Sequence, residues 1–341
     1  MKKAILLIVL VVALAVAGLA IDGHRRFTGP GPLPEPTTVV VPKGAGTQAV
    51  GALLEKAGVV DSGLVLTIGA KLRRVTLKAG EYAFPAHVSP EEAMRLMAEG
   101  RTVVHKLTVA EGLTVKQVLD LVREADYLAG DVGTKPAEGS LLPETWHLSR
   151  DDARDEVIAR MQKSMTQALD GLWASRAQGL PLKTKQEALV LASIVERETA
   201  LTAERPQVAA VFLNRLSLGM KLQSDPTVIY GLSDGLGVLD RPLSRADLAN
   251  PHRWNTYVID GLPPTPIANP GRASLEAVLH PADSDALYFV ADGSGGHVFA
   301  RSLDDHNRNV ANWRKVERQR RGEPEPAPEP APVKKAVKKG R

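Results

Sequence analysis

The segment from Thr184 to Tyr230 constrains this chain more than any other, because of the eight residues Ala188 to Val195. All of them are apolar except Ser193. A helix with no wet face over two turns has to lie inside a fold, so the rest of the chain must cover it. Thr184 supplies an N-cap, and Glu187 three residues on completes a capping-box pattern. Glu196 then follows the dry run. At 3.6 residues per turn it projects beside Leu189 and Ala192. A carboxylate on an apolar stripe is costly unless it is paired or protonated. Glu196 is therefore half of an ion pair, with Arg197, Arg205 or Arg215 as partner, or a working acid.

Length leaves room for two compact domains and appendages around that helix: the chain has 341 residues. Residues Ala4 to Ile21 are apolar or Gly and follow Lys2 and Lys3. This run is just long enough to cross a bilayer. Ala15-Val16-Ala17 resembles a signal-peptide cleavage site, but the run continues past it, which favours an anchor spanning 1–21. Lysines ahead of the run favour an inside N-terminus, although His24-Arg25-Arg26 behind it weaken the asymmetry. The bulk of the chain is then expected outside the cytoplasmic membrane. GPGPLPEP at 29–36 reads as a stiff linker within 22–37.

The spacing next predicts a small α+β module. Strand Thr38–Val41 leads to a helix over Thr47–Ala57 stopped by Gly58, and strand Tyr82–Phe84 to a Ser89-capped helix ended by Gly100. A third strand, Thr102–Val109, precedes a helix at Thr114–Arg123, and the pattern suggests small mixed sheets with helices on one side. EGSLLPETW at 138–146 reads as a loop and Asp151–Ala177 as an amphipathic helix. Beyond the Glu196 helix, Pro206 starts another helix that Gly219 stops, and Ser224-Asp225-Pro226 opens a short one. Ser244 with Asp247 caps a further turn. Asn255-Thr256-Tyr257 looks strand-like, and GLPPTPIANPG at 261–271 is a rigid loop. Arg272–Leu279 is a helix, Leu287–Val290 and His297–Ala300 form a hairpin, and a Ser302-capped helix closes the fold near Glu317. The tail from 317 to 341, rich in Pro, Glu and Lys, cannot bury a core and is expected to be disordered.

Chemistry is narrowed by what is missing. The chain has no cysteine, which removes disulfides, thiolate metal sites and Cys nucleophiles. Its eight histidines show no ligand spacing, so neither a metal nor a cofactor is expected. The net charge of +4 comes largely from the two termini, and no nucleic-acid footprint is expected. GSGGH at 293–297 leads into a strand rather than a helix, so it is a hairpin turn and not a phosphate loop. Glu196 and Glu198 remain. The helix C-terminus and apolar neighbours both raise the pKa of Glu196. Glu198 lies about 200° around the helix from it, so the two cannot act as a pair. A single raised carboxylic acid does not suit ordinary glycoside hydrolysis, which uses two. It suits a substrate that carries its own nucleophile.

ASIVERET at 192–199, VFLNRLSLGMKLQSDPTVIYG at 211–231, LSRADL at 243–248, NTY at 255–257, GLPPTPIANPG at 261–271 and YFVADGSGGHVF at 288–299 together carry a resemblance. The chain resembles the endolytic murein transglycosylase, or YceG-like, family from about Val39 to Asn312. The resemblance implies an overall α+β fold: an N-terminal transmembrane helix, a LysM-like α+β module at 38–104, and a mixed α/β catalytic domain at 105–316 with a helix-borne Glu. It implies a single-pass protein of the bacterial inner membrane with its catalytic part in the periplasm or cell-wall space. The implied partners are peptidoglycan glycan strands and the membrane, with peptidoglycan synthases as candidates. The implied reaction cuts the MurNAc-β-1,4-GlcNAc bond of nascent strands and leaves 1,6-anhydroMurNAc ends. The resemblance places the acid, then base, at Glu196. Gln223, Asp225, Asn255, Tyr257 and Asn269 are candidate sugar contacts, each equally open to a role as a cap or loop anchor. Two segments depart from the family pattern: Thr265 stands where the family's LPPGPI has Gly, and EGSLLPETW replaces EGYLFPDTY. The rival reading is a non-catalytic peptidoglycan-binding scaffold in which Glu196 is a buried ion pair.

Overall fold

The computed structural model describes residues 2–321, so the low-complexity tail beyond Arg321 lies outside the described residues. Its contacts divide the chain into two units. The first comprises 1–109, 119–135 and 145–160, and the second 110–118, 136–144 and 161–341.

The first unit opens with helix α1 (Lys2–Thr28), which is apolar enough to cross a membrane and has a mean hydropathy of 3.2 over its most apolar window. The helix runs seven residues past Ile21, to a last turn that buries Phe27. Strand β1 (Thr37–Val41), helices α2 (Thr47–Lys56) and α3 (Gly63–Leu72), strand β2 (Gly80–Phe84) and helix α4 (Pro90–Glu99) follow. β1 pairs antiparallel with β2, Val39 opposite Tyr82 and Thr37 opposite Phe84. Inward residues of both strands join Val50, Leu54, Leu66 and Met97 in one core. α4 keeps the boundaries its sequence signals set: the Ser89 hydroxyl accepts the Glu92 N–H, and Gly100 ends the helix in the left-handed region.

α2 and α3 cross at bare backbone. A Cβ at Gly51 would lie 2.5 Å from the Gly63 carbonyl oxygen, and one at Gly63 would lie 2.4 Å from Gly51 backbone. The 29–36 segment is packed rather than a free linker. Leu33 is buried and accepts the His87 N–H at 2.7 Å, and Gly31 donates to the His87 carbonyl at 3.2 Å. The remaining ribbon of this unit joins β3 (His105–Thr108) and β4 (Thr145–Leu148). β4 takes in the end of the segment expected to be a loop. Each sheet of the described residues is an antiparallel pair, not a mixed sheet. Helices α5 (Val115–Glu124) and α6 (Arg154–Ala174) each belong partly to both units.

In the second unit, helix α7 (Lys185–Glu198) is the centre, and every residue from Ala188 to Glu196 is buried. The Thr184 hydroxyl accepts the Glu187 N–H at 3.1 Å, while the Glu187 carboxylate reaches one residue further back and accepts from Lys183 N–H. Helices α8 (Arg205–Ser217), entered through a short 3-10 turn at Thr202–Glu204, α9 (Asp225–Leu232) and α11 (Arg272–Leu279) pack against it, and α10 (Arg245–Ala249) packs on α9. The hairpin β5 (Tyr288–Ala291) and β6 (His297–Ala300) and helix α12 (Leu303–Arg321) close the unit. Ser193, the polar residue of the dry run, is satisfied at both ends. Its hydroxyl donates to the Val190 carbonyl at 2.7 Å and accepts the Ile267 N–H at 3.0 Å, which fastens the 261–271 loop to the buried helix. Asn255-Thr256-Tyr257 is a turn rather than a strand. The Asn255 side chain holds that turn, donating to the Asn250 carbonyl and accepting the Tyr257 N–H.

Candidate active site

The two carboxylates at the end of α7 occupy different environments. Glu196 has a side chain 3% exposed, and both of its oxygens are taken. Oε1 accepts from Arg205 at 2.8 Å, and Oε2 accepts the Gly271 N–H at 2.9 Å. Arg205, the first residue of α8, is itself buried and also donates to Glu111 at 2.9 Å. Of the three arginines near it in sequence, Arg205 is thus the partner. Arg197 instead donates to the Gly112 and Gly237 carbonyls. A Cβ at Gly271 would lie 1.9 Å from the Glu111 carboxylate, so a larger residue there would have to push the Glu111 side chain aside. Burial pushes the Glu196 carboxyl up, while the Gly271 N–H and the Arg205 charge hold it down.

Glu198, the last residue of α7, points elsewhere. It is half-buried and lines a cavity of about 470 Å³ with Arg215, Gln223, Asp225, Tyr257 and His306. Its Oε1 accepts a 2.5 Å hydrogen bond from the Ser224 hydroxyl. Ser224 is buried and fixed by its own backbone N–H, which donates to Thr256 Oγ1 at 2.9 Å. Burial raises the Glu198 carboxyl to about 7. The Ser224 hydrogen bond opposes that rise, the Asp225 charge adds to it, and His297 and Arg215 oppose it. An acid of this strength holds its proton about half of the time at neutral pH.

The cavity's other polar groups are held in place. Tyr257 donates to Asp225 Oδ1 at 2.6 Å, and burial raises the phenol further above its usual range. Arg215 is buried and donates to the Leu287 carbonyl at 2.7 Å and the Leu222 carbonyl at 2.8 Å. Burial lowers its pKa. Gln223 has φ 53°, in the left-handed region, where a residue with a Cβ carries strain of order 1 kcal/mol. Its N–H donates to the Thr256 carbonyl at 3.1 Å. Residues in strained backbone tend to collect where a fold positions function.

Of the five candidate sugar contacts, Gln223, Asp225 and Tyr257 meet at this cavity, around Glu198 rather than Glu196. Asn255 and Asn269 are fully buried. The Asn255 amide donates to the carbonyls of Asp247, Leu248 and Asn250 and accepts the Tyr257 N–H, which closes the end of α10. Asn269 accepts the Leu141 N–H and donates to the Leu113 carbonyl, both at 2.9 Å. It thereby anchors the loop that delivers Gly271 to Glu196. Glu138 is likewise a brace, accepting from Val115 N–H and Tyr230 hydroxyl, while Glu144 is exposed. Thr265, the departure from the family loop, accepts from Trp254 Nε1 at 2.9 Å. Glu198, to which the sequence assigns no role, and Arg215, which it offers only as a partner for Glu196, line this cavity, and Ser224, read from the sequence only as opening a short helix, bonds to Glu198. Nothing in the local sequence separates Glu198 from Glu196; the return of residues 222–225 and 257 to the end of α7 does.

Comparison with known proteins agrees with the motifs. The model of the YceG-like family matches residues 39–312. A Streptococcus pneumoniae protein named endolytic murein transglycosylase is 30% identical over 80% of this chain. The match covers 58% of that relative, so the chain spans little more than half of its length. A Bacillus subtilis protein of the same name is 29% identical over 79% of this chain and 82% of its own length. A crystal structure of a YceG-like protein from Listeria monocytogenes matches with 29% identity and a TM-score of 0.49, covering 81% of this chain and 99% of the other. The chain belongs to the YceG-like family.

Proposed function

We propose that the chain is a membrane-anchored endolytic lytic transglycosylase of peptidoglycan, with Glu198 as its acid and base. The reaction follows from one carboxyl and the sugar's own hydroxyl. Protonated Glu198 gives its proton to the glycosidic oxygen, and the bond from that oxygen to C1 of MurNAc breaks. The C6 oxygen of the same sugar attacks C1 and yields its proton to the Glu198 carboxylate. The products are a GlcNAc hydroxyl and a 1,6-anhydroMurNAc end, water is not consumed, and the acid is regenerated. An internal nucleophile acts at high effective concentration, which removes the need for a second carboxylate to activate water.

The observation that carries this reading is the half-buried Glu198 carboxyl, raised to about 7 on the wall of a polar cavity. Access favours it over Glu196, whose side chain is 3% exposed and whose oxygens are both occupied by Arg205 and Gly271. Gln223, Asp225 and Tyr257 are then the candidate sugar contacts. The names of the relatives support the substrate class. The apolar α1 supports the anchor. We read the catalytic part as lying on the cell-wall side of the membrane and residues 38–104 as a LysM-like module that holds glycan.

Asp225 on the same wall makes a two-carboxylate hydrolase the specific rival. Digestion of purified glycan strands followed by mass analysis of the ends decides among the readings. Anhydro ends are expected; reducing ends would assign hydrolysis, and uncut strands a binding scaffold.

A further inference from the structure

Helix α3 has an apolar side that the first unit leaves uncovered. Leu64, Ile68 and Leu72, four residues apart and so on one stripe, are 66%, 48% and 79% exposed. This is unusual for a helix whose other side, at Leu66 and Ala70, is fully buried in the core. Beside the stripe runs a groove of about 430 Å³ between α3 and the end of α1, lined by Leu19, Ala20, Phe27, Val65, Ile68 and Leu72, among others. A Cβ at Gly69 would meet the Phe27 ring at 2.1 Å, so glycine lets the two helices close there. Arg73 lies over the same ring, 4.3 Å from its centroid.

The position of α3 along α1 identifies what covers this face. The apolar run of α1 ends at Ile21, and Phe27 lies about 9 Å further along the axis at 1.5 Å per residue. A helix packed against Leu19 to Phe27 therefore lies at the edge of the hydrocarbon and in the headgroup zone of any bilayer that α1 spans. Basic residues fringe it at that level: Arg25 and Arg26 on α1, and Lys71, Arg73 and Arg74 at the end of α3, of which Arg26 pairs with Asp22 at 2.8 Å and Arg73 with Glu91 at 2.6 Å. An apolar stripe with cations at its margin, held at that depth, is the pattern of an interfacial helix.

We propose that α3 is a second membrane contact, lying in the outer edge of the bilayer with Leu64, Ile68 and Leu72 among acyl chains, a phospholipid chain in the α1–α3 groove, and phosphates at Lys71 and Arg74. The inference rests on α1 spanning the membrane. Its consequence is a fixed orientation of the first unit on the membrane surface, set by two helices instead of one swivelling anchor.

The absence of native cysteine makes the test direct. The full chain is reconstituted at one copy per nanodisc in lipid containing phosphatidylglycerol, with a single cysteine at position 14, 64, 68, 72 or 104 carrying an environment-sensitive fluorophore. Leu14 lies in α1, and Val104, 54% exposed, is a control of the same unit away from the stripe. Quenching by lipids bearing a nitroxide on the acyl chain is expected to dim positions 14, 64, 68 and 72 about twofold or more, and to leave 104 bright. Quenching at 14 with none at 64, 68 and 72 overturns the inference and leaves the anchor standing. No quenching at 14 overturns the anchor itself. In liposomes, disulfide cross-linking between copies at position 68 without lipid quenching would overturn it in favour of a second copy of the chain.

Discussion

Replacing Glu198 by Gln is expected to make the protein more stable at alkaline pH and no more stable at acid pH. The carboxyl is raised from 4.5 to about 7 in the fold. Between those values the native state holds a proton that the unfolded chain has released. Stability therefore falls as pH rises through that window, since the slope follows the difference in bound protons, unfolded minus native. A shift of about 2.5 units at 1.36 kcal/mol each sets a ceiling of about 3 kcal/mol of destabilisation at pH 8. Solvent at the cavity mouth lowers this, and about 2 kcal/mol is the working figure. Glutamine keeps the shape and the acceptor for Ser224 and carries no charge. For a unit of this size the gain corresponds to a rise in Tm of about 4 to 8 °C at pH 8, and to about zero at pH 4.5. Thermal melts of both forms in the same detergent across that range measure it. A gain that does not change with pH, or none at pH 8, would refute the reasoning that this carboxyl is held protonated.

Three further outcomes follow from the same geometry. Ser224→Ala removes a hydrogen bond that favours the charged form of Glu198. The alkaline limb of kcat/KM, expected near pH 7, should move up by about one unit, read from a pH–rate profile on glycan strands. Arg205→Met strands Glu196 in the core, and a loss of about 3 kcal/mol is expected near neutral pH by urea unfolding. The loss should shrink at acid pH, where Glu196 is protonated and no longer needs the cation. Gly63→Ala forces the α2–α3 crossing apart, since its Cβ would fall 2.4 Å from Gly51 backbone. A destabilisation of about 1 to 3 kcal/mol should appear as a lower Tm of the first unit, with little effect on cleavage of a short glycan per folded molecule.

Legibility in the sequence followed how local the determining interaction was. Ser89 and Gly100 bound α4, the Ser244–Asp247 capping box forms as its spacing requires, and α11 occupies Arg272–Leu279. Each is decided within one turn of chain. α3 was not legible because GLVLTIGAKL has no polar face to set a period, which is understandable if one of its sides meets lipid. Asn255 to Tyr257 looked extended because β-branched and aromatic residues favour strands. The Asn255 amide, bonded to three carbonyls around the end of α10, makes it a turn. The two glutamates were the hardest case. The apolar stripe of α7 points to Glu196, for which the sequence offers an ion pair with Arg205 beside a working acid, and the structure contains that pair. Which of the two carboxylates meets the polar groove depends on where residues 222–225 and 257 return to the end of α7, and that is a tertiary fact.

The most direct test of the assignment compares Glu198→Gln with Glu196→Gln on purified glycan strands, counting anhydro ends per folded molecule. The account predicts that Glu198→Gln produces anhydro ends at least about a hundredfold more slowly, the scale of a lost general acid. Glu196→Gln should lose stability and retain most of the activity of its folded fraction. Anhydro ends formed at the wild-type rate by Glu198→Gln would contradict it, as would abolition of cleavage by Glu196→Gln in a protein that remains folded.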